Sequence, residues 1–397
     1  MVSQQILALE QEMIGWRRWM HRHAELSFAE QETTQFIEQT LRSFGITQIE
    51  RPTATGLVAS IFGTKGGRPA AVGIRADIDA LPIQEENDLP FRSQNDGVMH
   101  ACGHDGHAAM LLAAAKLMQA RRDQICGEVR LLFQHAEELP PGGAIEMVRA
   151  GAADGLDAVL GLHLSSVFPT GQFGVRAGAL TANTDRFDIT IRGRGGHCAY
   201  PEQCIDVVTT GAQLIVALQT LVSRRVAANA PTVLSVCQVQ AGNAYNILPD
   251  SMTITGTTRC LGPQARSFMR SEMERITKGV AQSAGADYEF VWQEGYPSVV
   301  NDEGLTALAQ SVLEERFGKQ QLFAIEPLMP GEDYPYFLEE GKRPGFFVEL
   351  GTRNADLGCD RPHHNPGYRM DEGALKYGAQ YFTDMVAALL DGERRYL

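Results

Sequence analysis

Buried apolar strands alternate with helical stretches in the first part of this chain, and polar residues follow directly after each strand. Residues 70–74, 129–133 and 158–161 are short apolar runs that predict strands, and a helix is expected to open near Asp105, a good N-cap. A further buried strand is predicted over 345–350. Strands that alternate with helices form open α/β sheets, which bind ligands beyond the carboxyl ends of their strands. The pattern therefore predicts an α/β domain with its site at one edge of the sheet.

The middle of the chain has a different pattern, in which apolar and polar residues alternate as in half-exposed strands. Such strands are predicted at about 185–191, 232–239, 252–258 and 288–292, with two apolar helices between them. At 397 residues the chain is also too long for one ordinary core. We therefore predict a discontinuous first domain of residues 1–182 and 296–397, with residues 183–295 inserted as a small α+β domain.

Charge and composition exclude several classes of partner. The net charge of −13 argues against nucleic acid or an anionic membrane surface as the main partner. No apolar run has the length of a membrane span, and residues 1–5 lack the pattern of a signal peptide. Seven cysteines, an odd number spread over a long chain, do not form a disulfide framework. These observations predict a cytoplasmic protein whose partner is a small molecule.

Residues 99–107 contain three histidines, one cysteine and one aspartate. Imidazole, thiolate and carboxylate groups are the usual ligands of divalent transition metals. Cys102 and His104 are two residues apart, so on an extended segment they point to the same side and can bind one cation. A histidine cluster also occurs in surface loops and helix caps without any metal. The metal interpretation therefore depends on further ligands elsewhere in the chain.

Further candidate ligands follow the other predicted strands. They are Glu137 and Glu138, His163, and one of His363 and His364. Two divalent metal ions that share a bridging group need about this many protein ligands. The thiolate fits zinc, while carboxylate and imidazole ligands are also suited to manganese, cobalt or nickel.

The two adjacent carboxylates, Glu137 and Glu138, can have different roles. One can bind metal while the other stays near enough to take a proton from a water molecule. Exposed pairs of glutamates are usually solvated helix faces. This pair instead follows a predicted strand and precedes a loop rich in proline and glycine, which favours the catalytic interpretation.

Five motifs follow one another in a recognisable series along the chain. They are RADIDALP (75–82), MHACGHDGH (99–107), FQHAEE (133–138), GGH (195–197) and GED (331–333). The series resembles the amidohydrolase branch of the M20 metallopeptidases, which includes hippurate hydrolases, N-acyl-amino-acid deacylases and plant indole-acetyl-amino-acid hydrolases. The resemblance implies a mixed-sheet di-metal hydrolase domain with an inserted ferredoxin-like α+β lid domain, which also forms a homodimer. The implied reaction is hydrolysis of the amide bond of an N-acyl amino acid.

The resemblance also implies roles for individual residues. Glu137 becomes the general base and acid, and His197, in the lid, matches a histidine that reaches the site of the partner subunit and stabilises the oxyanion. Asn246 matches a lid position that contacts substrate. Arg259 is assigned to substrate on the same grounds, although a structural arginine at a strand end explains it equally well. The implied metal ligands are Cys102, His104, Glu138, His163 and His364, the last preferred to His363 because it directly precedes Asn365-Pro366.

Two assignments concern residues that support the ligands. Asp77 resembles a carboxylate that orients a metal ligand, with Asp79 as the alternative equivalent. His107 is expected in the first turn of the predicted helix, where it would support the site without binding metal. Structural roles are expected for the other histidines at positions 21, 23 and 100.

The chain departs from the family pattern at two positions, because Ala24 and His135 stand where the family usually has proline. His135 is either a hydrogen-bond donor to the site or a solvent-facing side chain. A dipeptidase and an N-carbamoyl hydrolase of the same fold are alternative functions, but those branches prefer aspartate where this chain has Cys102. A non-catalytic protein that binds acyl-amino acids or metal is disfavoured because the five ligand positions and Glu137 are all intact.

Overall fold

The computed structural model describes residues 1–339 and 343–392 and divides the chain into two units. The first unit consists of Met1–Gly178, Val300–Glu326 and Asp333–Leu397, and the second of Ala179–Val299 and Pro327–Glu332. The α-helices are α1 (Gln4–Ala8), α2 (Glu10–Arg22), α3 (Gln31–Ser43), α4 (His104–Ala120), α5 (Gly143–Arg149), α6 (Val207–Arg225), α7 (Gly262–Ser283), α8 (Glu303–Phe317), α9 (Tyr336–Glu339) and α10 (Leu375–Leu389). The strands are β1 (Gln48–Glu50), β2 (Leu57–Phe62), β3 (Ala70–Asp77), β4 (Gly127–Gln134), β5 (Ala158–Pro169), β6 (Phe173–Val175), β7 (Gly178–Ala179), β8 (Asn183–Arg192), β9 (Gly196–His197), β10 (Thr232–Ala241), β11 (Ile247–Leu248), β12 (Ser251–Cys260), β13 (Asp287–Glu294), β14 (Val300–Asn301), β15 (Leu322–Ala324) and β16 (Gly345–Arg353).

The first unit is built on an eight-stranded mixed sheet. Its strand order is β1-β2-β4-β3-β5-β16-β6-β15, and the four neighbouring strands β4, β3, β5 and β16 are parallel. The outer strands β1 and β2 are antiparallel additions, and β6 runs antiparallel to β16. The predicted α/β class is therefore correct. The four parallel strands all end at the same edge of the sheet, where the polar residues follow.

Helix α4 lies in the core and begins at His104, two residues after the cysteine of the histidine-rich segment. Its N-cap is Gly103, in a left-handed conformation with φ 99°, and lies two residues before the N-cap predicted at Asp105. Its first twelve residues, 104–115, are all buried, and the many alanines and the glycine among them allow close packing. Helices α2 and α10 both pack against it. A close approach at Gly378 of α10 is required, since a Cβ there would meet Met110 Sδ at 2.1 Å.

The second unit is an α+β sandwich with a four-stranded antiparallel sheet in the order β10-β12-β8-β13. Helices α6 and α7 pack on this sheet, so the chain order is strand, helix, two strands, helix, strand. This is the ferredoxin-like arrangement that was predicted. Phe187, Ile189 and Ile191 alternate along β8 and are fully buried, which accounts for the alternating pattern of the sequence. A separate two-stranded ladder joins β9 to β11.

None of the helices in residues 1–339 and 343–392 combines the length and the apolar character needed to span a membrane. All seven cysteines are free thiols, three of them at least partly exposed and the other four buried.

Candidate metal centre

The candidate ligands of the first unit meet at the carboxyl edge of the four parallel strands. Asp77, the last residue of β3, is aligned with Gln134, the last residue of β4. His163 is aligned with Glu349 on the neighbouring strand. His163 lies inside β5, which extends to Pro169, well beyond the strand predicted at 158–161. The sheet therefore places these residues in one row, and the segment 99–104 crosses next to them.

All five predicted metal ligands lie in one cluster. Cys102 Sγ is 3.5 Å from His163 Nε2, and His364 Nε2 is 3.3 Å from Glu138 Oε1. The same Glu138 oxygen is 3.8 Å from His104 Nε2. Cys102, Glu138 and His364 each offer a ligand atom within 4.8 Å of the others. The structure thus brings together side chains from four separate segments of the chain.

Hydrogen bonds fix which nitrogen of two histidines faces the cluster. His104 Nδ1 donates to the carbonyl oxygen of Asp79 at 3.0 Å, and His163 Nδ1 donates to the carbonyl oxygen of Leu164 at 2.8 Å. A ring that donates from Nδ1 keeps a lone pair on Nε2 when it is neutral. In both rings that Nε2 atom points to the cluster, as a metal ligand requires.

Two other histidines use both ring nitrogens within the protein. His107 Nε2 accepts from the backbone N–H of Leu164 at 2.9 Å, so its Nδ1 donates to Asp77 Oδ1 at 2.5 Å. His363 Nε2 accepts from the backbone N–H of Ser166 at 3.3 Å, which leaves Nδ1 as the donor facing Cys102 Sγ at 3.9 Å. Neither ring keeps a lone pair for a metal ion. This arrangement favours His364 over His363 as a ligand and agrees with a supporting role for His107.

The carboxylate that orients His104 is Asp79, the alternative to Asp77. Asp79 Oδ1 lies 3.1 Å from His104 Nδ1, while Asp77 Oδ2 lies 3.5 Å from His104 Nε2. Asp77 instead binds His107 and receives a 2.8 Å hydrogen bond from Arg75 Nη1. Burial by itself would raise the pKa of Asp77, but Arg75, His104 and His107 hold it well below its usual range. Asp77 therefore supports the site through His107.

The polar atoms of the cluster fit divalent metal ions. His104 Nε2 and Glu138 Oε1 are buried and have no hydrogen-bond partner among residues 1–339 and 343–392, which is costly unless another group satisfies them. Burial opposes a charge on His104, but Asp77, Asp79 and Glu138 raise the pKa of His104 to about 10, so this position attracts positive charge. Burial and the carboxylates of Glu138 and Glu137 raise the pKa of the Cys102 thiol, and a bound cation would reverse that effect. We conclude that this donor set suits metal ions.

Glu137 lies beside the cluster on the turn that follows β4. A carboxylate oxygen of Glu137 lies within 4.8 Å of ligand atoms of His104 and Glu138, and the residue is almost entirely buried. Ala136, directly before it, has a φ of 50°, which is unusual for a residue with a side chain. The backbone N–H of Glu138 donates to Asp79 Oδ2 at 3.0 Å. Asp79 therefore fixes the backbone at Glu138 and also orients the ring of His104.

Two buried residues near the site carry no predicted role. Glu30 is fully buried, and its carboxylate accepts a hydrogen bond from the backbone N–H of Ala136 at 2.8 Å. Burial, together with the charge of Asp79, raises the pKa of Glu30 to about 7. Arg75 bridges Asp77 and Asp333 through separate nitrogen atoms, both at 2.8–2.9 Å. Arg75 and Asp77 are two residues apart on a strand and so lie on the same face, which could have indicated their contact from the sequence. No local pattern indicates the contact between Glu30 and Ala136.

The histidines with expected structural roles are all in the interior or at its edge. His21 lies between Asp105 and Glu85, with its two ring nitrogens 2.8 and 3.2 Å from their carboxylates. His100 is buried, and neither ring nitrogen has a hydrogen-bond partner in the part of the chain that the structure describes. His135 is buried as well, so it does not point to solvent, and its Nε2 lies 3.2 Å from Glu146. His23 donates to the carbonyl oxygen of Trp19 at 2.7 Å.

Two of the three predicted site residues of the second unit, His197 and Arg259, lie on strands, and Asn246 lies in the turn directly before β11. His197 of β9 is paired with Ile247 of β11, and the backbone N–H of Cys198 donates to the carbonyl oxygen of Asn246 at 3.3 Å. These contacts make His197 and Asn246 near neighbours, and both residues are exposed. Arg259 is half-buried in β12 and donates to the carbonyl oxygen of Thr258 at 2.9 Å. Its burial lowers the pKa of the guanidinium.

Comparison with known proteins gives a consistent result. The sequence is 52% identical over 294 residues to an N-acyl-L-amino acid amidohydrolase of Geobacillus stearothermophilus, covering 74% of this chain and 79% of that protein. It is 41% identical over 385 residues to an N-acetylcysteine deacetylase of Bacillus subtilis, covering 97% and 98%. The structure superposes with a TM-score of 0.85 on a dinuclear metal-binding M20 peptidase of Bacillus subtilis, at 37% identity over 97% of this chain and 99% of that one. Residues 73–388 match the model of peptidase family M20/M25/M40, and the chain belongs to this family.

Proposed function

We propose that this protein hydrolyses the amide bond of N-acyl amino acids, releasing a carboxylic acid and a free amino acid. Two similar proteins are named for this reaction, one as an N-acyl-L-amino acid amidohydrolase and one as an N-acetylcysteine deacetylase. The observation that carries the proposal is the donor cluster. In it, His104 Nε2 and Glu138 Oε1 lie buried beside the Glu137 carboxylate and make no hydrogen bond to any residue that the structure describes. A hydrolytic site needs such a cluster next to a carboxylate that can move a proton.

Five residues would hold two divalent metal ions. Zinc or manganese is proposed first, and the imidazole and carboxylate donors also suit cobalt and nickel. When bound, the ions supply Lewis-acid chemistry, which lowers the pKa of a water molecule and polarises the amide carbonyl. The proposed ligands are Cys102, His104, Glu138, His163 and His364, with Asp79 orienting His104 and Asp77 acting through His107.

Glu137 is the proposed general base and acid. Its carboxylate takes a proton from the attacking water as the new carbon–oxygen bond forms at the acyl carbon. It then gives this proton to the amide nitrogen as the carbon–nitrogen bond breaks, so the amino acid leaves as a neutral amine. Its position beside Glu138 and His104 supports this role.

His197 is proposed to stabilise the oxyanion that develops during attack, and Asn246 and Arg259 to contact the substrate. His197 Nδ1 accepts from the backbone N–H of Ala199 at 3.1 Å, so Nε2 carries the proton that a hydrogen bond to an oxyanion needs. Such a donor contributes about 3 kcal/mol to transition-state stabilisation in comparable sites. The side chain is exposed, which supports a partner outside its own unit.

The second unit is proposed to form a homodimer. Its surface carries exposed apolar side chains, including Val216 of α6 and Val239 of β10, and β10 is an edge strand. Exposed apolar residues and an uncovered strand edge are common at such interfaces. A cytoplasmic location stays a prediction, in agreement with seven free cysteines.

The decisive experiment compares the native protein with Glu137→Gln after removal of metal and reloading with zinc, manganese or cobalt. Substrates are N-acetyl amino acids, hippurate, an indole-acetyl amino acid, a dipeptide and an N-carbamoyl amino acid. We expect metal-dependent cleavage of one acyl class, and a loss of kcat by about 10³-fold or more in Glu137→Gln with unchanged metal content. Substantial turnover by that variant would show that Glu137 is not the base. Preference for the dipeptide or the N-carbamoyl substrate would change the proposed substrate class.

A further inference from the structure

Glu30 is a buried carboxylate that stands directly before helix α3 and far from the metal cluster in sequence. Its side chain accepts three hydrogen bonds, with Oε1 serving the backbone N–H groups of Ala136 at 2.8 Å and Phe28 at 3.0 Å. Oε2 accepts from the hydroxyl of Thr55 at 2.7 Å. The residue is fully buried, so water cannot replace it as an acceptor for these groups.

The hydrogen bond from Ala136 is the important one, because this residue has a backbone conformation that it would not adopt by itself. Its φ is 50°, in the left-handed region that residues with a Cβ disfavour. Such conformations persist only where surrounding contacts determine them. Here the N–H of Ala136 is held by Glu30, and its carbonyl oxygen accepts from the N–H of Gly143 at 2.9 Å.

The next two residues along the chain are the proposed base and a proposed metal ligand. The N–H of Glu138 donates to Asp79 Oδ2 at 3.0 Å, and Asp79 also accepts from His104. Glu137 therefore lies between two backbone groups that are each held by a buried carboxylate. On the Glu138 side the acceptor is Asp79, which also orients the proposed ligand His104. On the Ala136 side the acceptor is the carboxylate of Glu30.

We propose that Glu30 is a positioning residue for catalysis, which sets the direction of the Glu137 carboxylate by fixing the left-handed turn at Ala136. This proposal rests on the role of Glu137 proposed above. Glu30 does not touch substrate or metal. Its effect passes through one backbone hydrogen bond, so it depends on the acceptor oxygen and not on the negative charge.

The test compares Glu30→Ala and Glu30→Gln, with Glu25→Ala as the matched control. Glu25 accepts hydrogen bonds from the N–H groups of Glu32 and Thr33 at the start of the same helix, but it does not contact Ala136. We expect Glu30→Ala to lower kcat by about 10²-fold, the usual effect of a misplaced catalytic group, with KM within about twofold and metal content unchanged. Glu30→Gln keeps an acceptor oxygen and should retain kcat within a few-fold.

The outcomes separate this proposal from the proposed function. Native kcat in Glu30→Ala, or an equal loss of kcat in Glu25→Ala, would refute a positioning role. Turnover by Glu137→Gln would refute the assignment of the base, whatever Glu30 does. If Glu30→Ala does not fold, Thr55→Val decides, since it removes only the hydrogen bond to Oε2 and should lower kcat by about tenfold with unchanged KM. Native kcat in Thr55→Val would then contradict the proposal.

Discussion

Hydrogen-bond partners decide which histidines of this site are available to a metal ion. Five imidazole rings, at positions 104, 107, 163, 363 and 364, lie in or beside the cluster, and their hydrogen bonds separate possible ligands from supporting residues. His107 and His363 each accept from a backbone N–H and donate from the other nitrogen, so they lack a free lone pair. The chemistry of the cluster is therefore set as much by backbone N–H groups as by the ligands.

Glu30 gives a prediction for stability as well as for catalysis. Its pKa is about 7 in the folded protein, against an ordinary value of 4.5, so between these values only the folded state holds the proton. The stabilising contribution of this proton is complete below pH 4.5 and is lost as the pH rises through 7. The unfolding free energy of metal-free native protein should therefore fall by about 2 to 3 kcal/mol relative to Glu30→Gln between pH 5 and 8.

The measurement is chemical denaturation of both proteins in the presence of a chelator, at several pH values. The control is Glu25→Gln, which makes the same substitution at a half-buried glutamate that accepts hydrogen bonds from the N–H groups of Glu32 and Thr33 in α3. Parallel curves for native protein and Glu30→Gln would mean that the three hydrogen bonds keep Glu30 ionised despite its burial.

At the residue scale, the sequence predicted the candidate metal ligands better than the residues that orient them. Cysteine, histidine and paired glutamates after predicted strands are strong local signals, and those residues do come together. Glu30 gives no such signal, because it is 106 residues away from Ala136 in the chain and its hydrogen bond to that residue involves the backbone N–H, which every residue except proline carries. The choice between Asp77 and Asp79 also required the structure, since both lie at or just beyond the end of β3 and the sequence does not show that Asp79 contacts Nδ1 of His104 while Asp77 contacts Nδ1 of His107.

At the scale of elements, Gly103 sets the relative positions of Cys102 and His104 at the start of helix α4. Gly103 has a φ of 99° and lies between Cys102 and His104, at the start of α4. A Cβ at this position would be strained by the backbone and would lie 3.3 Å from Leu164 Cβ and the Tyr368 hydroxyl. Gly103→Ala should therefore move the thiolate and imidazole apart, and weaken metal binding by at least about tenfold while costing about 1 to 2 kcal/mol in stability.

Gly45, which follows α3, provides the matched control for this prediction. Its φ is 82°, and a Cβ there would meet only Gln119 Nε2 at 3.9 Å. Gly45→Ala should cost a similar 1 to 2 kcal/mol from backbone strain but leave metal affinity unchanged. Metal affinities measured by competition with a chromophoric chelator, together with thermal unfolding, test both variants. Equal metal affinity in the two variants would show that Gly103 serves only the fold.

The elements themselves were largely predictable, since the apolar runs that predicted strands lie in β3, β4, β5 and β16. Their lengths were not, and β5 continues through His163 to Pro169 because residues 164–166 are also buried. The start of α4 was placed at Asp105 on the basis of side-chain capping. Asp105 instead binds His21 and Arg17 inside the protein, so a buried ion pair takes the side chain that capping would use.

At the scale of the whole molecule, the sequence indicates an inserted unit. Apolar and polar residues alternate in the half-exposed strands of the middle of the chain, whereas the buried strands before and after it are continuous apolar runs. The short segment Pro327–Glu332 also belongs to the second unit, although it lies between parts of the first. No local pattern marks it, because its placement depends on contacts such as that of Leu328, whose backbone N–H donates to the carbonyl oxygen of Leu180. Long-range pairing of this kind is not visible in a single sequence.

In the proposed dimer, each active site combines Glu137 of one chain with His197 of the other, and this can be tested by mixing two variants. Glu137→Gln and His197→Ala should each be inactive as homodimers. When the two variants are unfolded together, refolded and reloaded with metal, half of the dimers are mixed, and each mixed dimer contains one complete site. About a quarter of the native activity should therefore return.

The alternative is an active site built within one chain, and in that case mixing the two variants restores no activity. In that case every chain of the mixture carries one of the two defects, and activity stays at the level of the separate variants. The control is Val216→Glu, which places a charge on the exposed apolar face of α6 and should yield monomers by light scattering if this face forms the interface. Monomers that retain full kcat would contradict both the shared site and the proposed role of the partner's His197.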